Sequence, residues 1–185
     1  MVPLGALVLP IVLSAVLVFV LSSIIHMLLG YHNRDYKPLP NEEAVRAAIR
    51  SGNPAPGQYV IPYCEPKETG SPEVQRKHVE GPVAVLNLKA AGPLRMGPSL
   101  VQWFIFALLV SLFLAYLASR VLPAGTPYLE VFRLVGTAGF LAYAVGQLPA
   151  AIWMGKPWPV AWKEVFDGLL YGVVTAGAFG WLWPR

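Results

Sequence analysis

Four long apolar stretches, separated by two short polar breaks and one long polar insert, set the plan of this chain. Leu4–Ile25 carries no charge, Met96–Ser119 is uncharged between Arg95 and Arg120, a third stretch lies between Arg133 and Lys156, and a fourth runs from Val160 to Trp183. Each exceeds the ~20 residues a helix needs to cross a bilayer. Leu122–Tyr128, with two prolines and a glycine, and Gly155–Pro159 read as tight turns, so spans two, three and four should form consecutive antiparallel hairpins. Within the fourth stretch Gly168, Gly172, Ala176 and Gly180 recur every four residues and so share one helix face. Ala138, Ala142, Gly146 and Ala150 form a matching stripe on the third, and the two stripes predict a close helix–helix contact. Trp162 and Trp181 stand roughly 28 Å apart along the fourth helix, a spacing that suits an aromatic at each membrane interface.

The insert from Tyr31 to Gly97 is charged and rich in proline and glycine, but it is patterned. EEAVRAAIR after Asn41 predicts a capped short helix, and SPEVQRKHVE predicts another with Ser71 as its cap. QYVIPYC and PVAVLNLK predict two short strands, with Pro62 confining the first to an edge. The predicted fold class is an all-α membrane protein: a four-transmembrane-helix bundle with a small extramembrane α+β cap between helices 1 and 2. Its parts are residues 1–30 (first helix), 31–97 (cap) and 98–185 (helices 2–4).

Composition agrees. The chain has 185 residues, 56% hydrophobic and 13% charged, with a mean hydropathy of +0.54, outside the soluble range. Its net charge of +4 is scattered among acids, which argues against nucleic acid and for the lipid bilayer as partner. The first stretch reads as a retained helix rather than a signal peptide, because no Lys or Arg precedes it and no small-x-small site follows. Arg34, Lys37, Lys89, Arg95, Lys156 and Lys163 fall on one side, against Arg120, Arg133 and Arg185 on the other. That balance favours a cytoplasmic cap and outward termini.

Candidate chemistry gathers near the cap-side interface. Helix lengths bring His26, Gln102, Gln147 and Asp167 to one depth, a layer able to relay protons or hold a polar ligand. Two readings of Asp167 stay open: a functional carboxylate inside an apolar helix, or an interfacial one paired with Lys163 four residues earlier. His26 likewise either joins this layer or snorkels to the interface. His26, His32 and Asp35 are weak metal candidates, since the turn at Gly30 would have to bring them together, and His78 is the one other histidine. Cys64, the single cysteine, excludes an intrachain disulfide and reads as an inert thiol. Trp153, Trp158 and Trp162 at one end, with Trp181 and Trp183 at the other, read as interfacial belts. Phosphate loops, nucleophile elbows and HExxH helices are absent, which argues against a hydrolase, and no residue pattern calls for a cofactor.

The stretches SSIIHMLLGYHNRDYKPLPNEEAV, GPLRMGPSLVQWF and FDGLLYGVVTAGAFGWLWPR resemble a group of small, uncharacterised bacterial membrane proteins with four spans. The resemblance covers nearly the whole chain. It implies an integral protein of the bacterial inner membrane and brings no catalytic residues. The glycine face, the small cap and the missing catalytic signatures predict a non-enzymatic protein working by association, as an accessory subunit of a membrane complex or bound to itself. A small transporter, channel or proton-relay protein built on the His26–Asp167 layer is the alternative, and a membrane enzyme acting on a lipid or quinone is the third.

Overall fold

The computed structural model describes every residue from Met1 to Arg185 and divides into two units, Met1–Asp35 with Arg95–Arg185, and Tyr36–Leu94. The first break falls after Asp35, so Tyr31–Asp35, grouped with the cap by composition, belongs with the helices.

In the larger unit α1 spans Val8–Ser23, with a 3-10 turn at Leu4–Leu7 before it and a wider turn at Ile24–Leu28 after it. Four more helices follow here: α4 (Gly97–Val121), α5 (Tyr128–Tyr143), α6 (Leu148–Trp153) and α7 (Trp158–Trp181). Prolines open them where a missing N–H costs nothing: Pro98 and Pro159 lie in the first turns of α4 and α7, and Pro127 immediately precedes α5. Packing around the unit runs α1 to α4 to α5 to α7 and back to α1. Seams are made by small residues. Ser14, Ala15 and Ser22 of α1 and Ala107, Ser111, Ala115 and Ala118 of α4 are buried, and Ser14 bonds Ser111 at 2.9 Å. Among apolar helices such residues let backbones approach, and dispersion with a few hydrogen bonds then holds them.

The α5–α7 contact is the most extensive. On α7 it uses the expected stripe: Gly168, Gly172 and Ala176 are buried, and Gly180 lies against Tyr128. On α5 the face differs from expectation. Val131, Val135, Gly139, Tyr143 and Ala144 are buried, whereas Ala142 and Gly146 are exposed and Ala138 and Ala150 only partly covered. The physical reason is first one of phase: Val131, Val135, Gly139 and Tyr143 form the buried four-residue series, one residue and so about 100° away from Ala138 and Ala142. Beyond Tyr143 the helix also breaks, with a 3-10 turn at Val145–Gln147 and α6 restarting at Leu148 with Pro149 in its first turn. A four-residue stripe crossing that break does not stay on one face.

Three helical segments are long and apolar enough to cross a membrane: Leu4–Leu28, Gly97–Val121 and Tyr128–Trp153. The fourth expected span, α7, has the length, but Lys163, Glu164 and Asp167 crowd its first three turns and keep it outside that group. The belts also need one correction. Trp153, Trp158, Trp162 and Trp181 are exposed, but Trp183 is buried and donates to the Pro123 carbonyl at 2.9 Å.

The smaller unit contains α2 (Glu42–Ser51), β1 (Gly57–Ile61), α3 (Pro72–Glu80) and β2 (Ala84–Leu88). The strands pair antiparallel from Gly57–Leu88 to Ile61–Ala84, and β1 ends where Pro62 removes a donor. Ser71 caps α3 through the Val74 amide, while Asn41 precedes α2 without a side-chain cap bond. Apart from Val74 no residue of this unit is buried, as expected of so small an apolar inventory.

Candidate functional site

The end of α1 departs from a regular helix. Leu29 N–H reaches back five residues to the Ile24 carbonyl at 3.1 Å, and Gly30 then adopts a positive φ of 66°, which favours glycine. Two further turns follow, Asn33 N–H to Gly30 O at 3.1 Å and Asp35 N–H to His32 O at 3.0 Å. The chain thereby curls back on itself and lays Tyr31, His32 and Asp35 against the N-terminal part of α7.

There the side chains interlock. His32 sits between two carboxylates, Nδ1 2.6 Å from Asp35 Oδ2 and Nε2 2.8 Å from Asp167 Oδ2. Tyr31 donates its hydroxyl to Asp167 Oδ1. Lys163 donates to the Tyr31 carbonyl at 2.7 Å and to Asp35 Oδ1. Lys163 and Asp167 share a face of α7 at i,i+4, and His32 and Asp35 share a turn at i,i+3, so Lys163, Asp35, His32 and Asp167 are linked in one chain of contacts. Side-chain exposures of 13% for His32, 6% for Asp35 and 4% for Asp167 place it away from solvent. Charges so enclosed persist only when each is paired and hydrogen-bonded.

Electrostatics fix the roles. Lys163 above all, then His32, hold the Asp35 carboxyl below the usual carboxylate range against the opposing effect of burial. Burial and the neighbouring Asp167 push the Tyr31 phenol above its usual range, so it stays protonated and donates. Both ring nitrogens of His32 thus lie within hydrogen-bond distance of a carboxylate oxygen.

His26 lies inside the widened turn with its side chain half exposed, Nε2 4.0 Å from Asp167 Oδ2 and 3.5 Å from the Tyr171 hydroxyl. Its ring stands 4.5 Å from that of His32, centre to centre. A pocket of about 200 Å³ opens beside Asp167, with His26, Gln147 and Glu164 on its polar side and Trp103, Tyr143 and Tyr171 among its aromatic walls. Lys156 pairs with Glu164 at 2.6 Å.

The layer read from helix lengths is therefore assembled in part. His26, Gln147 and Asp167 line one pocket, whereas Gln102 is exposed on α4 and outside it. The expected partner of Asp167 also changes: Lys163 turns to Asp35, and His32 takes its place. The weak metal set of His26, His32 and Asp35 is rearranged, because Asp35 meets His32 through Nδ1 while Asp167 joins the two histidines. Tyr31 and Tyr171 escaped sequence reasoning as members of the cluster, while Lys163 was foreseen beside Asp167 and not beside Asp35. For Tyr171 a signal existed, since it follows Asp167 at i+4. His78 lies in the smaller unit, bonded to the Val74 carbonyl at 2.9 Å, and Cys64 is a half-buried free thiol.

Comparison of the chain with protein-family models, with curated proteins and with solved structures brings no match, so the cluster's chemistry is argued from its own geometry.

Proposed function

We propose that this is a small cation-handling membrane protein, a transporter or channel subunit, whose site is the polar cluster and pocket at one end of the helical unit. In this reading α7 is the fourth span, with its charged first turns at the interface. The surplus of Arg34, Arg95, Lys156 and Lys163 over Arg120, Arg133 and Arg185 favours the cytoplasm for that end, in the inner membrane of a bacterium.

One observation carries the proposal. Asp167, 3% exposed and held by Tyr31 and His32, directs a carboxylate oxygen toward a half-exposed histidine and a pocket of about 200 Å³. Ionisable groups within apolar helices are costly and commonly mark ion or substrate paths. The pocket is smaller than the ~300–1,000 Å³ usual for organic ligands, which favours an ion with a few waters over a quinone or lipid headgroup. An association role loses its main support, since the glycine face of α7 is filled by the chain's own Ala144, Phe140 and Tyr128. Four helices enclose little space, so conduction calls for a homo-oligomer.

The test is flux. Purified protein in proteoliposomes is loaded with pH- and metal-sensitive dyes and challenged with gradients of protons, sodium, potassium and divalent cations. A cation flux present in the wild type and lost in Asp167→Asn, with the helical spectrum unchanged, is the expected result; no flux, or equal flux in the variant, removes the proposal.

A further inference from the structure

We infer that His26, His32 and Asp167 form a binding site for a divalent transition-metal cation of the zinc class. This rests on the cation-handling reading and names its substrate class. The donor atoms come from two separate parts of the helical unit and lie within 4.8 Å of one another. Two imidazoles and one carboxylate suit zinc and its neighbours, whereas calcium and magnesium take oxygen donors.

The surroundings supply what such ligands need. Asp35 binds His32 through Nδ1 at 2.6 Å, which fixes the ring and turns Nε2 toward Asp167, the carboxylate–histidine–metal arrangement. Lys163 in turn anchors Asp35. Tyr31 occupies Asp167 Oδ1 and leaves Oδ2 to face both imidazoles. Four ligands at the usual zinc bond lengths stand about 3.3 Å apart. His32 Nε2 and Asp167 Oδ2, at 2.8 Å, would open slightly as the cation replaces the shared proton. His26 Nε2, at 4.0 Å, would close in. That movement is available to His26, which is half exposed on a widened helical turn. The fourth position would face the pocket beside Gln147 and Glu164, leaving room for water or an exchanging ligand. A bound metal would thus be held by three protein ligands and keep one open position.

The experiment uses the full chain in nanodiscs after a chelator wash, titrated with Zn²⁺ against a chromophoric chelator and with Co²⁺ for its visible absorption. One Zn²⁺ per chain is expected, undisturbed by excess Ca²⁺ or Mg²⁺, with Co²⁺ bands of a low-symmetry nitrogen–oxygen site. His26→Ala, which removes an exposed side chain, should weaken binding at least tenfold. Asp35→Asn should weaken it about 10- to 100-fold without touching the metal. His78→Ala, in the other unit, should change nothing. Absence of Zn²⁺ binding, binding indifferent to His26→Ala and Asp35→Asn, or binding that follows His78 overturns the assignment. The two proposals fail separately: proton or alkali flux without Zn²⁺ binding defeats the metal site alone, and Zn²⁺ binding without any flux defeats transport alone.

Discussion

Gly168 is where the α5–α7 contact tolerates least. A Cβ built there would lie 2.7 Å from the N, Cα and Cβ of Ala144, all at the point where α5 breaks. Carbon contacts relax at about 3.5–4.0 Å, so Gly168→Ala must push the two backbones apart by roughly 1 Å. No flexible side chain can yield in their place. Overpacking of this kind costs about 1–3 kcal/mol, and contact with two backbone atoms and the rigid Ala144 methyl puts it near the upper end. The gain in helix propensity from Gly to Ala offsets about 1 kcal/mol, leaving a net loss of about 2 kcal/mol. Gly177, on the same helix, is the control: its nearest neighbour is the Tyr128 hydroxyl at 3.8 Å, an ordinary contact. Gly177→Ala should therefore be neutral or stabilising by up to about 1 kcal/mol. Gly172→Ala, at 2.9 Å from the Phe140 amide nitrogen, should fall near Gly168, and Gly136→Ala, at 3.3 Å from the Ala176 methyl, between the extremes. Reversible unfolding in mixed micelles, followed by tryptophan fluorescence, gives the order directly. If Gly168→Ala proves as stable as Gly177→Ala, the account of this interface as backbone against backbone is wrong.

Three further outcomes follow from contacts elsewhere. The Asp35 carboxyl is held low in the folded protein, so its contribution is complete above the ordinary carboxylate value near pH 4 and is lost as pH falls through the lower folded value; thermal unfolding of wild type and Asp35→Asn should differ at pH 7 and converge under strong acid. Trp103 donates to Ser22 Oγ at 2.8 Å between α4 and α1, and Ser22→Ala should cost about 1 kcal/mol in the same unfolding assay by leaving the indole N–H without that partner. Thr175 is buried with its hydroxyl, like the neighbouring Tyr143 hydroxyl, outside hydrogen-bond geometry, so the near-isosteric Thr175→Val should hold or raise stability by up to about 1 kcal/mol, and a clear loss would show that Tyr143 pairs with it.

Much of the helical layout was legible because bilayer-length apolar stretches and the prolines between them depend on local sequence alone. The face of α7 was legible for the same reason: Gly168, Gly172 and Ala176 keep their period in an unbroken helix. The face of α5 was not, since a second four-residue series, Val131, Val135, Gly139 and Tyr143, runs one residue away from the small-residue stripe and is the one that packing buries, and the helix then breaks after Tyr143. The site divides in the same way. Asp167 and His26 stand out as ionisable residues in apolar helices, and depth alone puts them together. His32 and Asp35 sit in a polar stretch and look like the start of a linker. What recruits them is a backward curl at Gly30, followed by exchange of ion-pair partners between that turn and α7. Sequence spacing offers Lys163 to Asp167 along one helix and gives no hint that a second carboxylate will claim it.

The extra residue in the turn at Ile24–Leu28 gives the site a phase. A regular helix advances about 100° and 1.5 Å per residue, and the five-residue turn absorbs one such step before the chain leaves α1. Without that widening the same residues would continue in ordinary helical winding. Everything after it would swing by about a quarter turn, carrying His32 off Asp167 and Asp35 off Lys163 together. The widened turn thus keeps the two halves of the cluster in phase, and losing it would leave the enclosed Asp35 and Asp167 carboxylates without their partners.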